Sequence, residues 1–382
     1  MDVDTIPNYL EQQRDEAPED LQHYFLSFEE LWERKLWHEL TDQLTAYFND
    51  PKSGSQRISL YNTFIKTFAD KISKLKLVHL GTLAAAECKD ADQKLSMQKA
   101  LSEKVNQPGS QDAYVSAQVE LASTYLSNKK DLPAARKILD ECERLLDTFD
   151  YVETIVYAKF YRENAAYYKA SQDFAGYYKN ALLYLACVDL DSLTLNDRRS
   201  RAFDLSVSAL VSESIYNFGE LLLHPILESL SGTPNAWLRD LLFAFNRGDL
   251  LAYDRLSGNI SKNPLLDQHK GFLYQKISLA ALTETVFKRP PHDRAMSFQT
   301  ISAETKVKPD DIEHLIMKAL SLGLLRGTID QVAEVARINW VQPKVLDRGQ
   351  IESMRSRLKE WDSSVNQLGN WIEGVGKDVW AA

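Results

Sequence analysis

The chain has 382 residues, of which 44% are hydrophobic and 26% are charged, and its formal net charge is -9. This composition is typical of folded globular proteins and excludes fibrous and low-complexity classes, while the length predicts two or three structural parts. Thirteen carboxylates but only three basic residues lie in residues 1 to 50. We interpret them as a solvated helical face, with an acidic docking surface as the alternative. In either case the acidic front disfavours nucleic acid as a general partner.

The cysteines and the N-terminal residues indicate the compartment. Cys88, Cys142 and Cys187 are an odd number of widely spaced thiols, which argues for a reducing environment and against a disulfide framework. Residues 1 to 16 are acidic, unlike a signal peptide, and no apolar run approaches the roughly 18 residues of a membrane span. We therefore expect a soluble protein of the cytoplasm and nucleus.

Helical periodicity dominates residues 1 to 285. Asp90, Asp131 and Asp173 each lie between two amphipathic segments, with separations of 41 and 42 residues, and Asp249 follows about two periods later. Aspartate is suited to such positions because its carboxylate accepts hydrogen bonds from the free amides of a helix N-terminus. The pattern predicts a mainly α protein that begins with a TPR-like solenoid of helical repeats.

Eight of the 17 tyrosines lie between residues 151 and 184. Their helical spacing favours packing between repeats over an aromatic platform for peptides or bases.

After residue 292 the pattern changes to that of a winged helix. A short strand at Ser297 and Phe298 is predicted to precede a helix over 299 to 305, and a second helix is predicted over Asp310 to Leu322. Alternating residues then predict a two-stranded hairpin with Leu325, Gly327 and Ile329 on one face of its first strand. In the second strand Ala336, Ile338 and Trp340 are expected to share a face. The second helix carries three acids against one lysine, so partner binding by the exposed strand edge is favoured over DNA or RNA binding.

The last segment has the most regular pattern in the chain. Apolar residues recur at alternating steps of three and four, as in the a and d positions of a coiled coil. We expect this seam to bind partner helices, and the alternative is that it packs on its own domain. The members of the seam are Ile351, Met354, Leu358, Trp361, Val365, Leu368, Ile372 and Val375.

No catalytic constellation is present in the sequence. The seven histidines are never closer than 15 residues, and there is no Cys-x-x-Cys pair, so a zinc site lacks the usual ligand spacing. No Gly-x-Ser-x-Gly turn or phosphate-binding loop is found. We expect no enzyme activity, cofactor, metal site or catalytic residue.

Several blocks resemble the PCI-domain family, and within it the non-ATPase subunits of the 26S proteasome lid. The blocks that carry the resemblance are YNFGELLLHPIL (Tyr216–Leu227), WLRDLLFAFNRGDL (Trp237–Leu250), FKRPPHDRAMSFQTI (Phe287–Ile301), MKALSLGLLRGTIDQV (Met317–Val332) and WVQPKVLD (Trp340–Asp347). The resemblance implies a helical-repeat arm at 1–180 and a PCI module at 181–345, followed by a terminal helix at 346–382. The module would comprise a helical part (181–270) and a winged helix (271–345).

The resemblance also implies a function. Lid subunits of this kind are non-catalytic scaffolds that join through their winged-helix sheets and gather their terminal helices into a bundle. The expected partners are a neighbouring PCI subunit, the metalloprotease-fold subunits and an adjacent ubiquitin receptor, with neither nucleic acid nor membrane. The sheet contact is assigned to Leu325, Gly327, Ile329, Ile338 and Trp340, and the bundle contact to the seam. The alternatives are a scaffold of another PCI complex, either the signalosome or a translation-initiation factor, or a winged-helix protein that binds nucleic acid.

Overall fold

Helical spacing of apolar residues produces helices over most of the chain, as predicted, and one small sheet near the C-terminal end. The computed structural model describes residues 6–290, 293–343 and 348–380. The chain divides into two units between Thr194 and Leu195, which are described separately below.

The first unit is entirely helical in its described part. Single π-helical turns at Tyr61–Ile65 and Tyr125–Lys129 continue two of its helices. Its α-helices are α1 (Ile6–Glu16), α2 (Gln22–Glu33), α3 (Trp37–Asn49), α4 (Gly54–Leu60), α5 (Lys66–Phe68), α6 (Lys74–Ala86), α7 (Ala91–Val105), α8 (Gln111–Thr124), α9 (Leu132–Leu146), α10 (Thr154–Ala170) and α11 (Phe174–Cys187).

The aspartates that mark the sequence repeat cap helices, which confirms the capping prediction. Asp90 precedes α7 and its carboxylate accepts the amide of Asp92, while Asp131 accepts the amide of Ala134 at the start of α9. Asp173 accepts two amides at the start of α11. Each cap satisfies backbone donors that the first helical turn leaves free. The sequence repeat therefore corresponds to the starts of alternate helices, α7, α9 and α11.

The tyrosine-rich segment contributes to packing within the first unit. Tyr177, Tyr178 and Tyr184 are buried, and Tyr157 and Tyr161 pack against a core that includes Val156 and Phe160. The interpretation of this segment as core is confirmed for these side chains. Tyr151 is the exception, because it is 86% exposed at the approach to α10.

The three cysteines lie in different surroundings. Cys142 is buried in α9, and burial raises the pKa of its thiol to about 12. Cys88 lies beyond the end of α6 and is half-buried, as is Cys187 at the end of α11. Burial also raises the pKa of both these thiols, so none has the lowered pKa that marks a nucleophile.

The second unit combines helices with the sheet. It contains α12 (Leu195–Val211), α13 (Gly219–Leu223), α14 (Ala236–Arg247), α15 (Leu250–Ile260), α16 (Pro264–Gln268), α17 (Lys270–Lys288), β1 (Ala295–Ser297), α18 (Phe298–Thr305), α19 (Pro309–Ser321), β2 (Leu325–Asp330), β3 (Val335–Val341) and α20 (Arg348–Trp380).

A close turn joins α14 to α15. Gly248 has a φ of +65°, and a Cβ at this position would lie 2.6 Å from the Cα of Ala281 in α17. Both facts require glycine. Asp249 then caps α15 by accepting the amides of Leu251 and Ala252. This turn lets α14 and α15 pack closely on α17.

Residues 295–341 form the predicted winged helix. Its three strands are antiparallel in the order β1-β3-β2, and they cover a core with α17, α18 and α19. Phe298 starts α18 instead of extending β1, because the Ser297 hydroxyl accepts the amide of Thr300 as a helix cap. Pro309 occupies the first turn of α19, and Gly323 follows its end with a φ of +69°.

Candidate partner-binding surfaces

The terminal helix α20 presents its apolar seam to solvent. The helix has 33 residues, which corresponds to a length of about 50 Å. The described seam side chains are between 49% and 68% exposed. The side chain of Val375 lies outside the described residues, as does the predicted domain boundary at 345 and 346. Packing of the seam on its own domain is therefore not seen in the part of the chain that the structure describes.

One hydrogen bond joins the third turn of α20 to the end of α17. Nη2 of Arg357 donates a hydrogen bond of 2.5 Å to the carbonyl oxygen of Lys288 at the end of α17. Within the described residues, the apolar core of the winged helix includes no side chain from α20. The seam is thus an apolar stripe that no described residue covers, on a helix joined to α17 by a polar contact.

A β-bulge changes the predicted faces of the hairpin. Arg326 pairs with Trp340, but the next residue, Gly327, pairs with Ile338, so Asn339 is an extra residue in β3. Glycine is needed opposite the bulge, since a Cβ at Gly327 would lie 2.2 Å from the carbonyl oxygen of Arg337. The bulge reverses the alternation of side chains for the rest of β3.

Trp340 consequently lies on the face opposite to the one that the alternation predicts, and that prediction is wrong. The guanidinium of Arg326 stacks 4.6 Å from the centre of the Trp340 ring, on the outer face of the sheet. Val341 takes the inner position and packs against the core. Leu325 and Ile338 are buried in that core and Ile329 packs against it. The five residues assigned to the sheet contact therefore do not form one surface.

The sheet order also decides which strands have an unpaired edge. β3 is the central strand, since it pairs with β1 over Ala295–Ser297 and with β2 over Leu325–Asp330. The outer edges of the short strand β1 and of β2 pair with no other strand among the residues that the structure describes, and β2 offers the longer edge. Exposed backbone groups of this kind can accept an added strand. Ile338 and Trp340 could support such a contact, but their own strand cannot provide the edge.

Sequence reasoning missed a buried lysine in the second unit. Lys276 in α17 is 1% exposed, and its Nζ donates hydrogen bonds to the carbonyl oxygens of Ala209, Leu210 and Ser212 at distances of 2.8, 3.1 and 2.6 Å. These carbonyls lie at the C-terminal end of α12. Aromatic rings of Tyr216, Phe218 and Phe272 lie within 5.3 to 5.5 Å of the ammonium. Burial lowers the pKa of Lys276 to about 7.

Two further residues were missed on the surfaces themselves. Trp371 is 64% exposed beside the seam and widens its apolar face near Ile372. Its position next to a seam residue was a usable signal. The sequence contains no such signal for Arg326, because the stacking of Arg326 on Trp340 depends on the bulge.

Metal-binding and membrane-spanning features were sought in the same residues. Within the described ranges, no group of histidine, cysteine, aspartate or glutamate side chains is placed to hold a metal ion. No described helix combines the length and the apolar character that crossing a membrane requires.

Comparison with known families matches almost the whole length of the chain. Residues 24–242 match the family described as PSD13 N-terminal repeats, and residues 250–340 match the PCI domain. Residues 344–376, which include most of α20, match the family described as Rpn9 C-terminal helix.

Relatives that align with the chain over almost their whole length have names that agree with these family matches. The chain is 42% identical over 374 residues to the probable 26S proteasome regulatory subunit rpn9 of Schizosaccharomyces pombe, covering 98% of this chain and 97% of the relative. It is 41% identical to the 26S proteasome regulatory subunit RPN9 of Saccharomyces cerevisiae, covering 99% and 98%. It is 38% identical to the 26S proteasome non-ATPase regulatory subunit 13 homolog B of Arabidopsis thaliana, covering 98% and 99%. Subunit M of eukaryotic translation initiation factor 3 from Aspergillus clavatus is 26% identical and covers 47% of this chain.

Proposed function

Because the chain belongs to the family of 26S proteasome regulatory subunits that includes RPN9 and non-ATPase regulatory subunit 13, we propose that it is a scaffold subunit of the proteasome lid. In this role it supports assembly of the lid within the 19S regulatory particle and thereby ubiquitin-dependent protein degradation. The exposed seam of α20 is the observation that carries the proposal, because a scaffold needs a surface that only its partners bury. The partial likeness to an initiation-factor subunit spans less than half of the chain and favours the alternative less.

The terminal seam is proposed as the principal contact. It consists of Ile351, Met354, Leu358, Trp361, Val365, Leu368, Ile372 and Val375, to which the structure adds Trp371. Burial of a large apolar side chain contributes about 1.5–3 kcal/mol, so several of these residues can hold a helix bundle together. The partners proposed for this contact are the terminal helices of other lid subunits, including those of the metalloprotease fold.

The wing is proposed as a second and separate contact. The open outer edge of β2 is suited to pairing with a neighbouring PCI subunit, while Leu325, Ile329 and Ile338 hold the strand from the core side. Arg326 and Trp340 extend the contact over the outer face of the sheet. Edge pairing is directional, so it selects the neighbour and its orientation.

The three parts of the chain are proposed to divide this work. The PCI module at 181–345 joins its neighbour and the helix at 346–382 enters the bundle, while the part at 1–180 forms the helical-repeat arm. An adjacent ubiquitin receptor is a further proposed partner of the chain. The protein is proposed to be non-catalytic and to act in the cytoplasm and the nucleus, without nucleic acid or membrane as a partner. Activity of the purified chain on ubiquitin conjugates would contradict the non-catalytic assignment.

The seam contact is tested by a double variant, Leu358→Glu with Trp361→Glu. Two carboxylates in the seam should prevent incorporation into the lid while helical circular dichroism remains unchanged. The matched control is Ser356→Glu with Ser363→Glu, which places the same charges on the opposite side of α20. Mass spectrometry of complexes recovered with each tagged chain gives the result. Equal recovery of lid subunits by the two variants would sink the seam contact, and recovery of signalosome or initiation-factor subunits by the unaltered chain would sink the lid assignment.

The wing contact is tested by hydrogen exchange. Amides on the outer edge of β2 should exchange quickly in the free chain and slowly in the assembled complex, since pairing protects them. The paired strand β3 serves as the internal control, because its amides should be protected in both states. Unchanged exchange in β2 after assembly would exclude edge pairing.

A further inference from the structure

The seam has the residue types of a parallel two-stranded coiled coil. Its steps define the heptad, with Ile351, Leu358, Val365 and Ile372 at position a and Met354, Trp361, Leu368 and Val375 at position d. Three of the four a residues are β-branched, whereas three of the four d residues are unbranched at Cβ and only Val375 is branched. Branched residues at a with leucine-like residues at d favour a parallel pair of helices.

The flanking charges suit a second copy of the same helix. Arg357 is at position g and Asp362 at position e of the following heptad. In a parallel dimer each g residue faces the e residue five positions later on the partner helix. Two copies of α20 would therefore place Arg357 of each helix against Asp362 of the other. The other g residues, Gln350, Ser364 and Trp371, carry no charge, and the other e residues are Arg355, which would face the uncharged Gln350, and two glycines.

An antiparallel pair of the same helices lacks this match. When the two seams overlap fully, it brings e positions against e positions, so that Asp362 would approach its own copy and Arg355 would face Gly369. Like charges at these positions are unfavourable, and pairing Arg355 with Asp362 would require a shift that leaves one heptad of the seam uncovered. Neither Arg357 nor Asp362 has an ion-pair partner within the described residues. Arg357 is exposed and makes its described hydrogen bond to a backbone carbonyl. Asp362 is exposed as well.

We propose that the free chain pairs with a second copy of itself through α20 as a parallel, in-register coiled coil. The proposal rests on the proposed function in one respect, namely that the seam binds helices. It adds which molecule binds the seam first, namely a second copy of the same chain. The two copies cover each other's seam before assembly, and they must separate before α20 can join other helices. Self-pairing thus competes with incorporation.

Charge reversal tests the pairing in the full-length chain. Arg357→Asp creates two contacts between carboxylates in each dimer, and Asp362→Arg creates two contacts between guanidinium groups. Each single variant should raise the dimer dissociation constant, measured by sedimentation, at least about tenfold. An equimolar mixture of the two variants should regain dimers, because both mixed contacts join opposite charges. The double variant Arg357→Asp with Asp362→Arg should also regain them.

The double variant also controls for the hydrogen bond from Arg357 to Lys288, which both the Arg357→Asp chain and the double variant lose. The orientation is tested by Met354→Cys in a chain with Cys88→Ser and Cys187→Ser. A parallel dimer places the two introduced thiols side by side, so mild oxidation should link the copies. Leu368→Cys in the same background should link them as well.

Three outcomes overturn the proposal. One is a monomer at every concentration, the second is failure of the mixed variants to pair, and the third is a dimer that resists crosslinking at both positions. None of these affects the lid assignment, which depends on recovery of lid subunits with the tagged chain. Conversely, a charge-dependent dimer that recovers no lid subunits supports this proposal and contradicts the proposed function.

Discussion

At the scale of single residues, Lys276 joins two helices that are distant in sequence. Its ammonium group bonds to three carbonyls at the end of α12, where a helix leaves acceptors without partners. The neighbouring aromatic faces add favourable cation–π contacts. These contacts favour the charged amine, whereas burial disfavours it, and burial dominates in lowering the pKa. Lys276 therefore fixes the end of α12 at the cost of a desolvated charge.

Replacement of this lysine should destabilise the second unit. Lys276→Met keeps the aliphatic packing but leaves three buried carbonyls unbonded, which costs at least about 1–3 kcal/mol in the free energy of unfolding. Urea denaturation gives the value. Lys270→Met, at the exposed start of α17, is the control and should remain within about 0.5 kcal/mol of the unaltered chain. Equal stability of the two variants would show that the three hydrogen bonds contribute nothing net.

The lowered pKa of Lys276 also predicts a dependence on pH. The folded state releases the proton near pH 7, whereas the unfolded state holds it up to the ordinary lysine pKa of 10.5. Between these values the unfolded state binds more protons, so the free energy of unfolding rises with pH by up to about 1.4 kcal/mol per unit. Below about pH 7 the contribution of Lys276 is constant. The difference between the unaltered chain and Lys276→Met isolates this slope, and a flat difference from pH 7 to 9 would contradict it.

At the scale of elements, the bulge in β3 determines what the wing presents. It places Trp340 on the outer face with Arg326 and sends Val341 into the core. Regular alternation would have put Trp340 inside and left Arg326 without an aromatic partner. The bulge depends on Gly327, because the strands approach too closely there for any side chain.

Gly327→Ala should therefore destabilise the winged helix by about 1–3 kcal/mol, since the added methyl group must displace backbone atoms. Thermal unfolding of the full chain checks this expectation. The matched control is Gly258→Ala in α15, where a Cβ meets no atom within 4 Å. Alanine is the better helix former, so the control should gain up to about 1 kcal/mol. A loss of similar size in both variants would show that crowding at the bulge is not the cause.

Elements whose cause is local were predictable from the sequence. The aspartate caps act on the next few amides, and α19 begins at Pro309 and ends two residues before Gly323 for reasons that lie within one turn. The seam of α20 was found from spacing alone. The bulge, the face of Trp340 and the surroundings of Lys276 were not found. Each of these features depends on a strand or helix from a distant part of the sequence. The spacing of apolar residues does not indicate such a contact.

At the scale of the whole molecule, folding and partner binding use different side chains. Both units contain apolar cores. Among the described residues, the core of the winged helix contains no side chain from α20. The described seam side chains are exposed to solvent, whereas the core side chains are buried. The chain can therefore present a binding helix without weakening its own fold.

A chain that ends after Pro343 should test this separation. Removal of the terminal helix should leave the midpoint of thermal unfolding within about 2 °C of the full-length value, because no core side chain is lost. The same chain should fail to recover intact lid. The measurements are calorimetry and mass spectrometry of recovered complexes. A large fall in the midpoint would show that α20 stabilises its own unit, and the seam would then have a structural role.

The exposure of the seam tryptophans has an optical consequence. Trp361 and Trp371 are 68% and 64% exposed in the single chain. An indole ring that moves from water into an apolar interface shifts its fluorescence to shorter wavelength. Any helix that covers the seam must therefore change the emission spectrum of the unlabelled protein. The molecule carries its own reporter of occupancy, which can follow the exchange of one bound helix for another in real time.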